Sequence, residues 1–543
     1  MFLKRTQVRS GDQVYTYVQV VESYWDKGTP RHRVLANLGR LDQLNPDSVA
    51  HLAKSLASLT DGAAVVTGPE DVQCRTAKVY GSTWALNRLW EKVGLGRWFR
   101  EFGSGRRIRF DLDWAVRAMV FARLHNPSSE RKVLEWLKTA EVDGAGALSL
   151  QHLYRALDVF YHAWPQIEPR LLPALGQLVA VDTGLCLFDT TSVYFEGDGP
   201  EELAAFGYSR DRRPDCKQLV LGVMTTREGL PVGHITMPGN TSDIKSLEQA
   251  IDSLLGRVPA TRPILVFDRG MVSEQNLNRL REAGWEYIVG VRLRQHAARR
   301  ALRRPGRYRK VALNLYVKEV SPEGSPEGER FIVCYNPLEA VRDLKARERM
   351  VEQLERMAAG GGIPRRLLRS GAARRYLMVE GGKVQLDERK IREDASYDGK
   401  WVLRTNCQLP PEEVARHYKG LWRVERVFRT VKSPLEVHPV YHWTERRVRA
   451  HVAVCVLAYT LLRLVEMMCD EAGLKITGEE ALRELATITK QEVKVGQLSF
   501  WVRSELTAEH ESIFRALKLP LPPQGGGNDQ GRSGKRRRPR RRK

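Results

Sequence analysis

Leu185-Cys186-Leu187-Phe188-Asp189-Thr190-Thr191 is a short apolar run that ends on an aspartate, and Ile264-Leu265-Val266-Phe267-Asp268-Arg269-Gly270-Met271 repeats the pattern. Four apolar residues followed by Asp and turn formers read as a buried strand with a carboxylate at its end. Further short apolar runs occur at 219–224, 232–237 and 287–291, with helical stretches between them at 244–255 and 274–283. Strands and helices mixed in this order predict an α/β or α+β sheet domain. An aspartate at a strand's carboxyl end lies on the sheet edge where sites form. Taken alone, Asp189 reads more readily as a turn or N-cap residue. Asp182, after the run 178–181, is a rival for its place. Gly270 allows a tight turn beside Asp268, and Ser273 can cap the helix that follows. As a pair, the two aspartates look like ligands for Mg²⁺, which prefers oxygen donors.

A third element lies at 418–432, where Tyr418, Glu425 and Lys432 are spaced by seven. Seven residues make about two helical turns, so all three share one stripe. Trp422 and Phe428, three positions on either side of Glu425, can pack beside it. Glu425 could complete a metal site and Lys432 could hold a phosphate. The same spacing also fits a solvated helix face. Asn240 and Asp243 are second-tier candidates that fit equally well as caps of the helix at 244.

Of the 543 residues, 42% are hydrophobic and 28% charged, and the formal net charge is +23. The length predicts several packed units. The last twelve residues hold nine Lys or Arg and no acid, and subtracting those nine leaves +14 on the rest. Basic surface of this extent points to a polyanion, because binding phosphates releases counterions. The seven cysteines form no Cys-x-x-Cys pair, which argues against a zinc module and for a reducing compartment. Met1 to Arg5 lacks a signal-like apolar region. The apolar stretch 451–468 carries Arg463 and Glu466 and follows Arg449, so a buried helix is expected rather than a membrane span.

The expected organisation is a β-strand region at 1–45, then a mainly helical region at 46–178. The first part of the sheet domain follows at 179–292, an Arg-rich insertion at 293–398, and the second part with the Glu425 helix at 399–470. C-terminal helices at 471–518 and a disordered basic tail at 519–543 complete the chain. The tail reads equally as solvated charge or as a nonspecific DNA tether.

The motifs 187–192, 238–243 (Pro-Gly-Asn-Thr-Ser-Asp), 266–271 and 418–432 occur in this order. Together with 398–406, 437–442 and the N-terminal stretch 24–41, they resemble the insertion-sequence-four family of bacterial transposases, in its longer, insert-bearing subgroup. The resemblance covers most of residues 1–470. It implies a ribonuclease-H-like α/β catalytic core with a β-containing insertion, a mainly helical N-terminal region and a helical C-terminal region. It implies an acidic triad of Asp189, Asp268 and Glu425 holding Mg²⁺ or Mn²⁺, two ions in all, for DNA cleavage at insertion-sequence ends and strand transfer into a target. The implied partners are terminal-repeat and target DNA and a second copy of the chain, in the bacterial cytoplasm and associated with the nucleoid. Tyr418 and Lys432 become contacts to transposon-end phosphates, and Thr190 joins the second tier. The family's helix signature has Arg three after Tyr, but Leu421 stands there; Arg423 and Arg426 are the nearby substitutes. Two other readings remain: a nuclease of the same fold that does not join strands, and a DNA-binding derivative without catalysis.

Overall fold

A computed structural model describes residues 1–59, 65–66, 68–142, 144, 148–258, 262–321, 328–360, 362–371, 373–495 and 498–527. The apolar runs fold as strands of one nine-stranded sheet. In chain order these are β1 (Leu185–Tyr194), β2 (Gln218–Thr226), β3 (Pro231–Pro238), β4 (Ile264–Phe267), β5 (Glu286–Val291), β6 (Arg309–Ala312), β7 (Leu315–Val320), β8 (Arg330–Tyr335) and β9 (Lys400–Thr405). Their spatial order is β6-β7-β8-β9-β5-β4-β1-β2-β3. The pairs β1–β4 and β4–β5 are parallel, with Phe188 opposite Phe267 and Phe267 opposite Val289. All other neighbours are antiparallel.

Three parallel strands need crossovers, and helices supply them. Helix α1 (Asp243–Leu254) precedes β4, and helix Glu274–Glu282 precedes β5. Each starts at a serine cap: Ser242 accepts from the Lys245 amide and Ser273 from the Asn276 amide. Leu247, Ala250, Ile251 and Leu254 of α1 pack with Phe188, Leu265, Phe267, Tyr287 and Val289 in one core. A fully buried side chain of this size contributes about 1.5–3 kcal/mol. The residues just before Asp189 and Asp268 are therefore locked in place.

The segment between β5 and β9 was expected as a β-containing, Arg-rich insertion. Its strands β6, β7 and β8 extend the central sheet, because β8 pairs with β9 along its whole length, from Arg330–Thr405 to Tyr335–Lys400. The rest of the segment holds α2 (Pro337–Ala359), the hairpin Leu377–Glu380 with Lys383–Leu386, and helix Glu388–Ala395. After β9 come α3 (Pro411–Lys419), α4 (Trp422–Lys432) and α5 (Glu445–Glu471). Helix α5 is long and apolar enough to cross a membrane, with a mean hydropathy of 1.9, yet 89% of that stretch is buried inside the protein. Helices at Gly81–Val93, Leu95–Gly103, Leu112–His125, Glu130–Trp136 and Leu150–Leu175 belong to the same unit. Gly94, at φ 92°, separates the first two.

A second compact unit comprises Met1–Tyr80, Thr487–Leu506 and the residues from Leu521. Its strands Phe2–Ser10, Gln13–Asp26 and Thr29–Arg40 form an antiparallel sheet, as expected. The supposedly helical 46–178 region contributes Val72–Cys74 and Lys78–Val79 to another sheet of this unit, paired with Thr489–Val495. The C-terminal region is likewise not all helix, since Thr489–Val495 and Leu498–Arg503 form a hairpin. Residues 519–527 were expected in a disordered tail, yet Leu519 is buried and Gly525–Gly527 pairs with Leu498–Arg503. Its Arg-rich part, 528–543, lies outside the described residues.

Candidate active site

Asp189 was expected at the end of its strand. It lies in the middle of β1, which continues to Tyr194. The neighbour β4 stops at Phe267, so the sheet loses its parallel partner just where Asp189 projects. Asp268 follows Phe267 directly and begins a 3₁₀ turn, with the Met271 amide donating to its carbonyl at 3.1 Å. Two adjacent parallel strands thus place two carboxylates side by side. Gly270 does not supply an unusual backbone angle. Its value is space, since a Cβ there would lie 2.9 Å from the Asp243 carboxylate.

Glu425 comes from the first turn of α4. The helix expected across 418–432 is broken at Gly420-Leu421, which puts Tyr418 on α3 and Glu425 and Lys432 on α4. Both flanking residues keep right-handed helical angles, so the stripe survives the break. Asp189, Asp268, Glu425, Tyr418, Lys432 and Thr190 all line one open cleft of about 840 Å³. Burial pushes the Asp189 carboxyl up to about 6. The Thr190 amide, 2.7 Å away, and Arg210 oppose that rise, while Asp268 and Glu425 add to it. Asp189 therefore senses both other carboxylates.

The Tyr418 hydroxyl donates to Asp268 at 3.3 Å, and burial together with that carboxylate raises its pKa. Gly290 of β5 makes room for it: a Cβ there would lie 2.3 Å from the Tyr418 oxygen. Lys432 is not a free cation. Its Nζ lies 2.7 and 2.8 Å from the two Asp211 oxygens, and Ser192 Oγ donates to the same carboxylate at 3.2 Å.

Arg210, which the sequence reading missed, donates to Thr190 Oγ1 at 3.0 Å and to Asp243 at 3.3 Å. Asp243 is the first residue of α1 and Ser242 is its cap, so neither Asp243 nor Asn240 caps that helix. Asp243 instead holds Arg210 against Thr190. Asn240 is exposed and does not line the cleft. Arg423 and Arg426 point elsewhere. Arg426 donates to Glu466 of α5 at 2.5 Å, and Arg423 lies near Arg227, Glu228 and Arg463. Arg429 lines the cleft in their stead, one turn beyond Glu425, and Leu421, at the position where an arginine was expected, lines it too. Asp182, the rival to Asp189, bonds the Gly184 amide at 2.9 Å and does not line the cleft.

The family model for the transposase DDE domain matches residues 182–461, from before β1 into α5. This chain belongs to the transposase DDE-domain family. The domain implies a core of the ribonuclease-H-like type, which the mixed sheet of the transposase fits. A second model, for the N-terminal domain of IS1634 family transposases, matches residues 3–65. It carries the IS1634 name and not that of the insertion-sequence-four family. A piggyBac transposase synaptic complex with hairpin DNA aligns at 9% identity over 76% of this chain and 82% of its own, with a TM-score of 0.40. A Mos1 transposase paired-end complex with the left transposon end aligns at 15% over 38% and 68%, with a TM-score of 0.15. Neither score bears weight here. No curated protein matches the chain.

DDE transposases use divalent metal ions, and the cleft suits one chemically. Three carboxylates supply only oxygen donors, and Asp268 and Glu425 add to the rise that burial gives the Asp189 pKa. Glu130, His442 and His451 also approach within 4.8 Å of one another. The guanidinium of Arg123 lies 3.4 Å from His451 Nδ1, and His442 bonds Glu130 at 3.3 Å, so that group is already satisfied by its own neighbours.

Proposed function

We propose that the transposase cleaves DNA at the ends of its insertion sequence and joins the freed ends to target DNA, using Asp189, Asp268 and Glu425. The observation that carries this reading is the convergence of three carboxylates from β1, the end of β4 and α4 on one open cleft. These side chains would hold divalent ions, Mg²⁺ or Mn²⁺, two in number. Bound there, such ions stabilise charge at a phosphate under in-line attack and make a water acidic enough to act as nucleophile. Asp189 and Asp268, fixed by the core behind them, set the position of the phosphate. Glu425, from the first turn of α4, completes the donor set. Tyr418 and Lys432 face DNA phosphates, the lysine once it exchanges Asp211 for one. Thr190 and Asp243 hold Arg210, which brings positive charge beside Asp189. No residue need form a bond to DNA.

The family reading extends further. Terminal-repeat and target DNA are the substrates, two copies of the chain act together, and the enzyme works in the bacterial cytoplasm at the nucleoid. Residues 46–178 bind DNA ends and 293–398 are the family's insertion. The motifs favour the insert-bearing insertion-sequence-four subgroup, whereas the N-terminal match favours IS1634. Incubation with Mg²⁺ and DNA carrying the element's end tests the function. Both cleavage and joined product are expected, with Asp189→Ala, Asp268→Ala and Glu425→Ala each losing them. Cleavage without joining would support a nuclease, and neither reaction in the unmodified protein a non-catalytic derivative. Unchanged cleavage in all three variants would remove the triad.

A further inference from the structure

A second cavity, of about 830 Å³, adjoins the cleft and shares Asp268 with it. Its floor is a sheet edge, and the register fixes which residues stand there. β4 ends at Phe267, opposite Val289 of the parallel β5. β5 ends at Val291, opposite Val402 of the antiparallel β9, which starts at Lys400. The same edge therefore presents Asp268 and Arg269, then Arg292, then Lys400. Strands lie about 4.8 Å apart, so the row from β4 to β9 covers roughly 10 Å. Asp343, Ala346 and Met350 of α2 line the cavity as well.

The carboxylates of this cavity are already engaged. Asp398 pairs with Arg347, Asp394 accepts from the Tyr376 hydroxyl at 2.6 Å and from Arg294, and Asp343 accepts the Gly399 amide at 2.9 Å. Among the described residues, no carboxylate pairs with Arg269 or Arg292, and Lys400 Nζ bonds only the Ser396 carbonyl, at 2.9 Å. A line of cations without acidic partners, starting at one of the three carboxylates, suits a continuous polyanion better than a single small anion.

We propose that Arg269, Arg292 and Lys400 bind the DNA backbone just beyond the phosphate being cut, so that the segment between β5 and β9 forms one wall of a channel for that strand. This rests on the reading of the cleft as the DNA-cutting site. The test measures binding in EDTA, where no cleavage occurs, across a salt series. One DNA ends at the cleavage point and the other continues several nucleotides past it. On the longer DNA, Arg292→Ala and Lys400→Ala should each weaken binding and lower the slope of log affinity against log salt by about 0.7–0.9. On the shorter DNA they should match the unmodified protein. Arg292→Lys, which keeps the charge, should restore the slope and so exclude a folding defect. Equal losses on both DNAs, or none on the longer one, would overturn the channel. Cleavage by the unmodified protein is scored separately, so failure of the channel and failure of the active-site reading remain distinct.

Discussion

Asp211→Asn should make the transposase bind DNA more tightly while weakening its fold. Both Asp211 oxygens hold Lys432, at 2.7 and 2.8 Å, and the two side chains are only 19% and 15% exposed. A charge-assisted contact of this kind contributes about 1.5–3 kcal/mol net. Asparagine keeps one acceptor oxygen, so the folded state should lose about 1–2 kcal/mol. The DNA phosphate then no longer competes with a carboxylate for the lysine. A gain of about 1–2 kcal/mol corresponds to roughly five- to thirty-fold in Kd. Burial lowers the Lys432 pKa and Asp211 opposes that, so binding is best read at neutral pH or below, where the lysine stays charged. Fluorescence anisotropy with DNA carrying the element's end, from low to moderate salt, reads the effect. The variant's advantage should be largest at low salt and shrink as salt rises. It should vanish in a Lys432→Met background. A variant that binds no tighter than the unmodified protein at low salt, or that keeps its advantage without Lys432, would show that the pair only braces the fold.

Two further outcomes follow from the same geometry. Asp189 is raised from 3.8 to about 6, so its contribution to stability is present below about 4 and lost as pH rises through about 6. Without divalent ions, Asp189→Asn should therefore melt higher than the unmodified protein at neutral pH, by up to about 3 kcal/mol, with the gap closing toward pH 4. Mg²⁺ should stabilise the unmodified protein more than the variant, and a gap independent of pH would contradict the assignment. Gly290→Ala would place a Cβ 2.3 Å from the Tyr418 oxygen and push it off Asp268. Its cleavage rate should drop to that of Tyr418→Phe at an unchanged melting temperature, whereas full activity would show that the hydroxyl plays no part.

The sheet was legible because buried strands leave continuous apolar runs, and Phe188 and Phe267 announced the two aspartates. The sequence could not show that Asp189 lies mid-strand. Thr190 to Tyr194 are as β-prone as what precedes them, and the length of the neighbouring β4 makes the opening. Arg210 and Asp211 were hidden because residues 195–217 carry no periodicity; only tertiary contacts bring them to Thr190 and Lys432. Arg429 was accessible from helical phase, four residues after Glu425, whereas Arg423 and Arg426 are out of phase with it. The hairpin at 489–503 was missed because Thr489-Lys490-Gln491-Glu492 is polar on both faces and reads as more helix.

The position of β9 has a consequence for how the enzyme comes into being. β5 leaves the ribosome long before its neighbour, and the chain from Val291 to Thr405 takes about 6–23 s to synthesise at ordinary translation rates. Throughout that interval one side of β5 has no hydrogen-bonding partner, and Glu425 does not yet exist. A nascent chain thus carries both aspartates beside a sticky strand edge but lacks the third carboxylate of the proposed triad. Stalled or truncated products ending before residue 400 would be prone to aggregate and, under the proposed triad, inert, which would delay DNA cutting until translation is nearly complete.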